Sequence, residues 1–202
     1  MTERPILFSG AMVRAILDGR KTMTRRVAKI GARRQEPQHL KGGSFIDGQW
    51  VPCPYGQPGD RLWVKETHYR MGKWVKNGLT ESGRQKCKFN AEGRSLLFPE
   101  QVENSTAPIV LPRKRTDRGW HKRPSLFMPR WASRITLEIT AVRVERLSDI
   151  SDADALAEGV DRTNTSISGY ATERFKKLWE SINGAGSWAL NPRVWVVEFK
   201  KL

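Results

Sequence analysis

Apolar and polar positions follow two different periods early in the chain, and each period predicts an element. Residues 5–8 read as a short apolar strand. Residues 10–18 carry one apolar stripe at helical spacing, which predicts a helix with Ser9 as its N-cap and Gly19 as its stop. Residues 22–27 then favour an extended segment. The first elements are therefore strand, helix and strand.

The next stretch is rich in glycine and proline. Residues 28–58 are predicted to be loop on that ground. Residues 61–69 alternate like a strand, with Leu62 and Val64 on one face. Glu66 falls on that same face, where a buried carboxylate needs a partner.

The clearest strand signal runs over residues 133–147. Its apolar positions alternate as far as Ala141, then the phase slips by one residue and the alternation resumes at Val142. Such a slip predicts a β-bulge or a sharp bend of the kind that barrels use at their corners. The stretch before it is weakly patterned, with short strands predicted near 73–75 and 87–89.

The last third predicts two helices and a buried strand. Ser151 can cap a helix over residues 152–158, and a second helix is predicted over 172–183. The apolar face of that second helix consists of Phe175, Leu178, Trp179 and Ile182. Residues 194–199 are apolar on both faces, which is typical of a central strand. Because the order lacks regular βαβ alternation, it predicts an α+β fold on a bent sheet or small barrel.

Charge is distributed unevenly. The 202 residues hold 36 Lys and Arg against 21 Asp and Glu, a net charge of +15. Residues 70–130 carry a net +9, whereas residues 131–202 are neutral overall. The densest basic run is Arg113-Lys114-Arg115 with His121-Lys122-Arg123 close behind. A basic loop of this kind binds phosphates without reading bases, so RNA or DNA is the expected partner. The alternative is a solvated insertion whose charge only aids solubility.

Composition excludes several classes of protein. No stretch approaches the ~20 apolar residues that cross a bilayer, and the first residues lack the apolar segment of a signal peptide. Two cysteines are too few for a disulfide scaffold. We therefore expect a cytoplasmic protein without membrane contact. Neither a metal nor another cofactor is expected, because cysteines and histidines are scattered and no phosphate-binding glycine motif is present.

One motif directly follows the first predicted helix: Gly19-Arg20-Lys21-Thr22-Met23-Thr24-Arg25-Arg26. It resembles the G-x-K-x-x-E-x-R signature of the ASCH domain, a PUA-like RNA-associated module, with Thr24 in place of Glu. It is also similar to the G-R-K-T-x-T segment of bacterial N(4)-acetylcytidine amidohydrolases in the same superfamily. Further segments that fit the family are 58–64, 135–144 and 194–199.

The resemblance covers most of residues 1–69 and 129–202, in the manner of the larger phage or prophage ASCH proteins. It implies a single PUA-like domain over 1–202. That domain would be a bent β-barrel of mixed strands with flanking helices and a basic insertion at about 70–128.

The amidohydrolases have a Lys, a Thr and a Glu as their proposed catalytic group. The resemblance assigns Lys21 and Thr24 to these roles, with Glu158 in the short helix predicted after the long strand as the best match for the Glu. Amide hydrolysis requires a nucleophile, a base and a donor to the oxyanion. Lys is a base only where burial or nearby positive charge keeps it neutral. In an extended strand Lys21 and Thr24 would face opposite sides, so they converge only if residues 20–22 turn.

The resemblance also implies a nucleotide-binding cleft beside the first helix, lined by basic and aromatic groups. The candidates for contact with nucleic acid are Arg26, Trp63, Glu66, Arg130, Trp131 and Arg134. Trp131 lies between two arginines at the start of a strand, which favours stacking on a base. Trp179, Trp188 and Trp195 fall on or beside apolar elements and are expected in the core.

Three functions are compatible with these residues. The first is a nucleic-acid or nucleoside-binding protein that hydrolyses the amide of N(4)-acylated cytidine. The second is a non-catalytic module that recognises modified bases in RNA or DNA, and the third is a metal-independent ribonuclease. Each catalytic candidate also has an ordinary structural explanation: Lys21 complements a helix dipole, Thr24 suits a strand and Glu158 suits a helix surface.

Overall fold

The computed structural model describes residues 1–28, 43–46, 49–106, 109, 111–160 and 169–202. The strands are β1 (Glu3–Leu7), β2 (Met23–Val27), β3 (Gly43–Ile46), β4 (Gln49–Pro52), β5 (Arg61–Lys65), β6 (His68–Leu79), β7 (Gln85–Leu97), β8 (Gly119–Arg123), β9 (Thr136–Arg146) and β10 (Arg193–Lys201). The α-helices are α1 (Gly10–Leu17), α2 (Pro99–Glu103), α3 (Asp152–Ala157) and α4 (Tyr170–Asn183). This mixture confirms the predicted α+β class. No helix in the described ranges is long and apolar enough to cross a bilayer.

The chain divides into two compact units. Unit 1 consists of Met1–Ile6, Ala11–Val64 and Ile135–Leu202, and unit 2 of Leu7–Gly10 and Lys65–Arg134. Unit 2 contains the whole of the predicted basic insertion. Its sequence has 16 Lys and Arg against 6 Asp and Glu, a net charge of +10. The single-domain description of the chain stays a prediction.

Unit 1 is built on a five-stranded sheet with the order β1-β5-β9-β10-β2. β10 pairs antiparallel with both β9 and β2. Opposite β10, Glu198 pairs with Ala141 and Phe199 with Ile139, which leaves Thr140 as one extra residue in β9. The phase slip read from the sequence is thus confirmed as a β-bulge. The sheet is open, with β1 and β2 at its edges, and a bulge of this kind bends the strand that carries it.

The pairing of β1 with β5 gives this sheet its mixed character. The amide of Arg61 donates to the Thr2 carbonyl at 2.8 Å, and the amide of Phe8 donates to the Lys65 carbonyl at 3.3 Å. Partners therefore follow the same order along both strands, as in a parallel pair. The expected mixture of strand directions is present.

The core of unit 1 lies against β10. Val194, Trp195, Val196 and Val197 are all 0–1% exposed, which confirms the predicted central strand. Phe175 and Trp179 of α4 pack with this strand in one hydrophobic cluster. Trp188 is only half-buried, with its ring centroid 6.2 Å from that of Phe175. Ile182 was expected on the buried face but is 54% exposed, because the last turn of α4 borders a cleft that is described below.

Three sequence predictions require correction. The segment 28–58 is predicted to be loop, yet β3 and β4 form an antiparallel pair within it. The glycines and prolines around these two short strands conceal them in the sequence. Residues 29–42 of the segment lie outside the described part. The strand predicted over 61–69 is two strands, because β5 belongs to the five-stranded sheet and β6 to another.

The third correction concerns unit 2. Its two short predicted strands are parts of a long hairpin, β6 with β7, and β8 pairs with the other side of β6. The sheet order is β7-β6-β8, with every pairing antiparallel. Most side chains of β6 and β7 are exposed or half-buried, so the alternation that identifies a strand in sequence is weak here.

Candidate functional site

A turn after α1 carries Lys21 to the end of α3. Gly19 adopts a positive φ of 72°, which ends the helix. The amides of Arg20 and Lys21 both donate to the Ala15 carbonyl, at 2.8 and 2.9 Å. Residues 20–22 therefore turn, which is the condition given above for Lys21 and Thr24 to converge. Lys21 then forms an isolated antiparallel bridge with Glu158.

A glycine makes this close approach possible. Gly159 has a φ of 89°, in the region that favours glycine. A Cβ atom there would lie 2.9 Å from Cβ of Ala15 and 3.0 Å from Cβ of Lys21. The two segments could not lie side by side with a larger residue at this position.

The ammonium of Lys21 is buried and donates three hydrogen bonds. Its acceptors are the Met23 carbonyl at 2.8 Å, the Glu158 carbonyl at 2.9 Å and Glu158 Oε2 at 2.7 Å. The Lys21 side chain is 0% exposed. Burial lowers the pKa of Lys21 from its usual value, while the ion pair with Glu158 opposes that shift. Three acceptors around one nitrogen match the donor capacity of an ammonium, so the geometry suits the protonated form.

The Glu158 carboxylate is bound on one side only. Its Oε2 accepts from Lys21, whereas Oε1 has no hydrogen bond to a described residue. Arg25 lies beside Oε1, with Nη1 at 3.6 Å. Arg25 is itself held by Glu145 at 3.0 Å and Asp154 at 2.8 Å. Glu158 thus belongs to a buried ionic cluster and keeps one oxygen with acceptor capacity to spare.

A cleft of about 420 Å³, including space open to solvent, adjoins this cluster. β2 contributes Thr24, Arg25 and Arg26, and α4 contributes Leu178 and Ile182. Glu158 also lines the cleft, but Lys21 is not among its lining residues. Glu158 therefore takes part in the ion pair with Lys21 and also lines the cleft, as Thr24 does.

Four candidate residues belong to unit 2, namely Glu66, Arg130, Trp131 and Arg134. Glu66 is buried, and both its oxygens accept from Arg134, at 3.0 and 2.9 Å. This confirms the expectation that Glu66 needs a partner. Arg134 also pairs with Glu100 and lies 3.8 Å from the ring centre of Phe98. Both charges are therefore engaged within the unit.

The two remaining tryptophan candidates differ in exposure. Trp131 is 43% exposed, and the guanidiniums of Arg70 and Arg94 lie against its ring. Arg130 beside it is exposed. Trp63 is half-buried within β5 of unit 1.

Sequence reasoning missed two groups of residues. One consists of the partners of Arg25, namely Glu145 and Asp154, whose pairing depends on β9 and α3 meeting β2. The other consists of Arg70, Arg94 and Arg123 around the aromatic rings of unit 2. Interleaved arginine and aromatic positions in the basic stretch were the available signal for the second group.

No three His, Cys, Asp or Glu side chains in the described ranges are grouped as metal ligands. Comparison with protein-family models gives no match, and no curated protein matches the sequence. Among solved structures, the crystal structure of an ASCH domain from Lactobacillus crispatus JV V101 is similar, at 10% identity and a TM-score of 0.41. The match covers 99% of this chain and 79% of that one. Similarity at that level transfers no function, so the site is interpreted from this chain's own residues.

Proposed function

We propose that the protein binds nucleosides or nucleic acid and hydrolyses the acyl amide of an N(4)-acylated cytidine in the cleft of unit 1. The main support is the half-bound carboxylate of Glu158, which lines the cleft together with Thr24. Buried polar atoms in proteins ordinarily have a hydrogen-bond partner. A carboxylate oxygen without one, on a residue that lines the cleft, is a candidate for proton transfer to and from a ligand.

The proposed reaction is an acyl transfer in two steps. The Thr24 hydroxyl oxygen attacks the carbonyl carbon of the amide, and its proton passes to Glu158. The carbon–nitrogen bond breaks as Glu158 returns that proton to the leaving nitrogen of cytidine. Water then attacks the ester on Thr24 while Glu158 takes its proton. Release of the carboxylic acid and return of the proton restore the Thr24 hydroxyl.

Lys21 and Arg26 have supporting roles in this proposal. Lys21 holds the Glu158 carboxylate in position, because its ammonium donates to Oε2. Arg26 lines the cleft and is the candidate donor to the oxyanion. The proposal therefore makes Glu158 the base, whereas the sequence allows Lys21 that role only if the lysine is neutral and allows Glu158 to carry or orient the proton.

The test follows release of cytidine from N(4)-acetylcytidine by chromatography. We expect turnover by the natural chain, loss of it in Thr24→Val and Glu158→Gln, and partial activity in Thr24→Ser. Thr22→Val is the matched control, since Thr22 is exposed two residues away and should keep full activity. Mass spectrometry of early time points should show one acetyl group on a peptide that contains Thr24.

The two alternative functions give different results. A folded protein that binds cytidine derivatives without releasing acetate would be a non-catalytic module. Shortening of RNA in the presence of a chelator, lost in Thr24→Val, would indicate a metal-independent ribonuclease. In both cases Arg26 stays a contact candidate in the cleft.

The remaining candidates for contact with nucleic acid are four residues of unit 2 and Trp63 of unit 1. We propose that Arg130 and Trp131 contact the ligand directly, because both are exposed. Glu66 and Arg134 bind each other and position the segment that leads to Trp131. Trp63 is retained as a candidate for unit 1.

A further inference from the structure

Guanidinium groups and aromatic rings lie against one another in unit 2. Arg123 lies 4.8 Å from the ring centre of Trp74, 4.5 Å from that of Phe89 and 5.1 Å from that of Phe127. Arg115 lies 5.5 Å from the Trp74 ring. One arginine thus links three rings that belong to β6, β7 and the segment after β8.

Trp131 forms a second centre of the same kind. Arg70 and Arg94 lie 5.3 and 5.5 Å from its ring centre. The tryptophan is nevertheless 43% exposed, and Phe127 is 59% exposed. We call the six residues Arg70, Trp74, Arg94, Arg123, Phe127 and Trp131 the arginine–aromatic surface.

The arginines of this surface have no anionic partner within the described part of the chain. Among the residues that the structure describes, no ion pair includes Arg70, Arg94 or Arg123. Elsewhere in the same unit arginines are paired, as Arg118 is with Glu92 at 2.7 Å. Burial and the nearby charge of Arg70 lower the pKa of Arg123, so the cations are close enough to repel each other.

The surface therefore combines guanidiniums that have no ion pair among the described residues with exposed aromatic rings. Unpaired guanidiniums attract phosphates, and exposed rings attract the flat faces of bases. A duplex hides the faces of its bases by stacking, whereas a single strand exposes them. Sequence preference is expected to be weak, because every base has a π-face.

We infer that the arginine–aromatic surface binds single-stranded nucleic acid, with bases stacked on Trp131 and Phe127 and phosphates on the guanidiniums. This goes beyond the proposed hydrolysis, which uses residues of unit 1 alone. The inference gives the basic charge of unit 2 a function that is separate from the hydrolysis proposed for unit 1.

The test measures fluorescence anisotropy of short labelled oligonucleotides with the full chain. RNA and DNA single strands are compared with an abasic strand of equal length and with a duplex. We expect the single strands with bases to bind more tightly than the other two. Trp131→Ala and Phe127→Ala should each weaken that binding by about 5- to 100-fold, from the stacking free energy per base. Tight binding of either sugar type supports the inference.

Leu190→Ala is the matched control, since Leu190 is an exposed apolar residue of unit 1, at 79%. It should leave affinity unchanged. Equal affinity for abasic and normal strands would overturn the inference, because phosphates alone would then account for binding. So would equal effects of Trp131→Ala and Leu190→Ala.

Turnover of N(4)-acetylcytidine in the same variants separates this inference from the proposed function. We expect Phe127→Ala to retain turnover of the free nucleoside and to weaken strand binding. Conversely, Thr24→Val should bind strands normally. A natural chain that binds strands without turnover would contradict the proposed function alone, and one that turns over the nucleoside without preferring strands with bases would contradict this inference alone.

Discussion

The ion pair between Lys21 and Glu158 is costly to form and more costly to break. Both side chains are almost wholly buried, at 0 and 4% exposure. Removing charges from water is unfavourable, and a buried charge that loses its partner is worse still. The additional hydrogen bonds from Lys21 to two carbonyls offset part of the cost for the ammonium.

Lys21→Met should therefore destabilise the protein strongly. We expect the free energy of unfolding to fall by about 3–5 kcal/mol, because Glu158 is left buried without its partner. The double variant Lys21→Met with Glu158→Leu should recover part of that loss. Urea unfolding of both variants is the measurement.

The exposed pair of Arg20 and Asp18, at 2.9 Å, provides the comparison. Asp18→Asn should change stability by less than about 1 kcal/mol, because water screens such pairs. If Lys21→Met were as mild as Asp18→Asn, the buried pair would contribute little to folding.

For single residues, the sequence was informative where neighbouring residues in the chain decide the conformation or the burial. The turn at Gly19 and the burial of Glu66 followed from a helix stop and from strand alternation. The partners of Arg25 did not, because Glu145 and Asp154 are more than a hundred residues away in the chain. These charges come together only because β2, β9 and α3 lie close to one another in the folded chain.

One helix is capped by a residue from another. The N-cap of α4 is Gly169, which has no side chain to accept a hydrogen bond. Asp152 at the start of α3 accepts instead, from the amide of Gly169 at 2.6 Å and from the amide and hydroxyl of Thr172 at 3.0 and 2.8 Å. These hydrogen bonds lower the pKa of Asp152 below its usual 3.8.

Asp152→Asn should lower the thermal stability at neutral pH. Since the folded pKa lies below the unfolded value of 3.8, the contribution of the ionised carboxylate is present above that pH. It is lost as the pH falls through the folded pKa. Melting temperatures followed by circular dichroism should differ between the natural chain and the variant at neutral pH and converge in acid. A difference that stays constant with pH would show that ionisation of Asp152 is irrelevant, and Asp18→Asn is again the control.

Elements with an aliphatic face were predictable, and those without one were not. α4 buries apolar residues at helical spacing and β10 buries a continuous apolar run, so the sequence locates both elements. The bulge at Thr140 was visible because it breaks such a pattern. β6 and β7 carry arginines and aromatic residues over exposed faces, so only fragments of them could be recognised.

The net charge of the whole molecule is concentrated in one unit. Unit 2 carries +10 of the total of +15. The sequence predicted the basic stretch as 70–128, whereas the compact unit also takes in the residues on either side and Leu7–Gly10. Those added segments come from hydrogen bonding and packing, which charge counting does not detect.

Hydrogen exchange with and without a single-stranded oligonucleotide tests this division. We expect slower amide exchange in β6, β7 and β8 when the strand is bound, because binding there stabilises the sheet locally. The amides of β2 and β10 should be unaffected. Protection confined to β2 would move nucleic-acid binding to the cleft of unit 1.

The position of β10 in its sheet sets a constraint on biosynthesis. β2 pairs with β10 in the described structure, and the ribosome makes β10 long after β2. Until then the edge that carries Thr24 and Arg25 has no strand beside it, so the cleft cannot exist on a partly made chain. Pairings so distant in sequence also slow folding. A nascent chain can therefore complete the three-stranded sheet of unit 2 before the cleft of unit 1 is assembled.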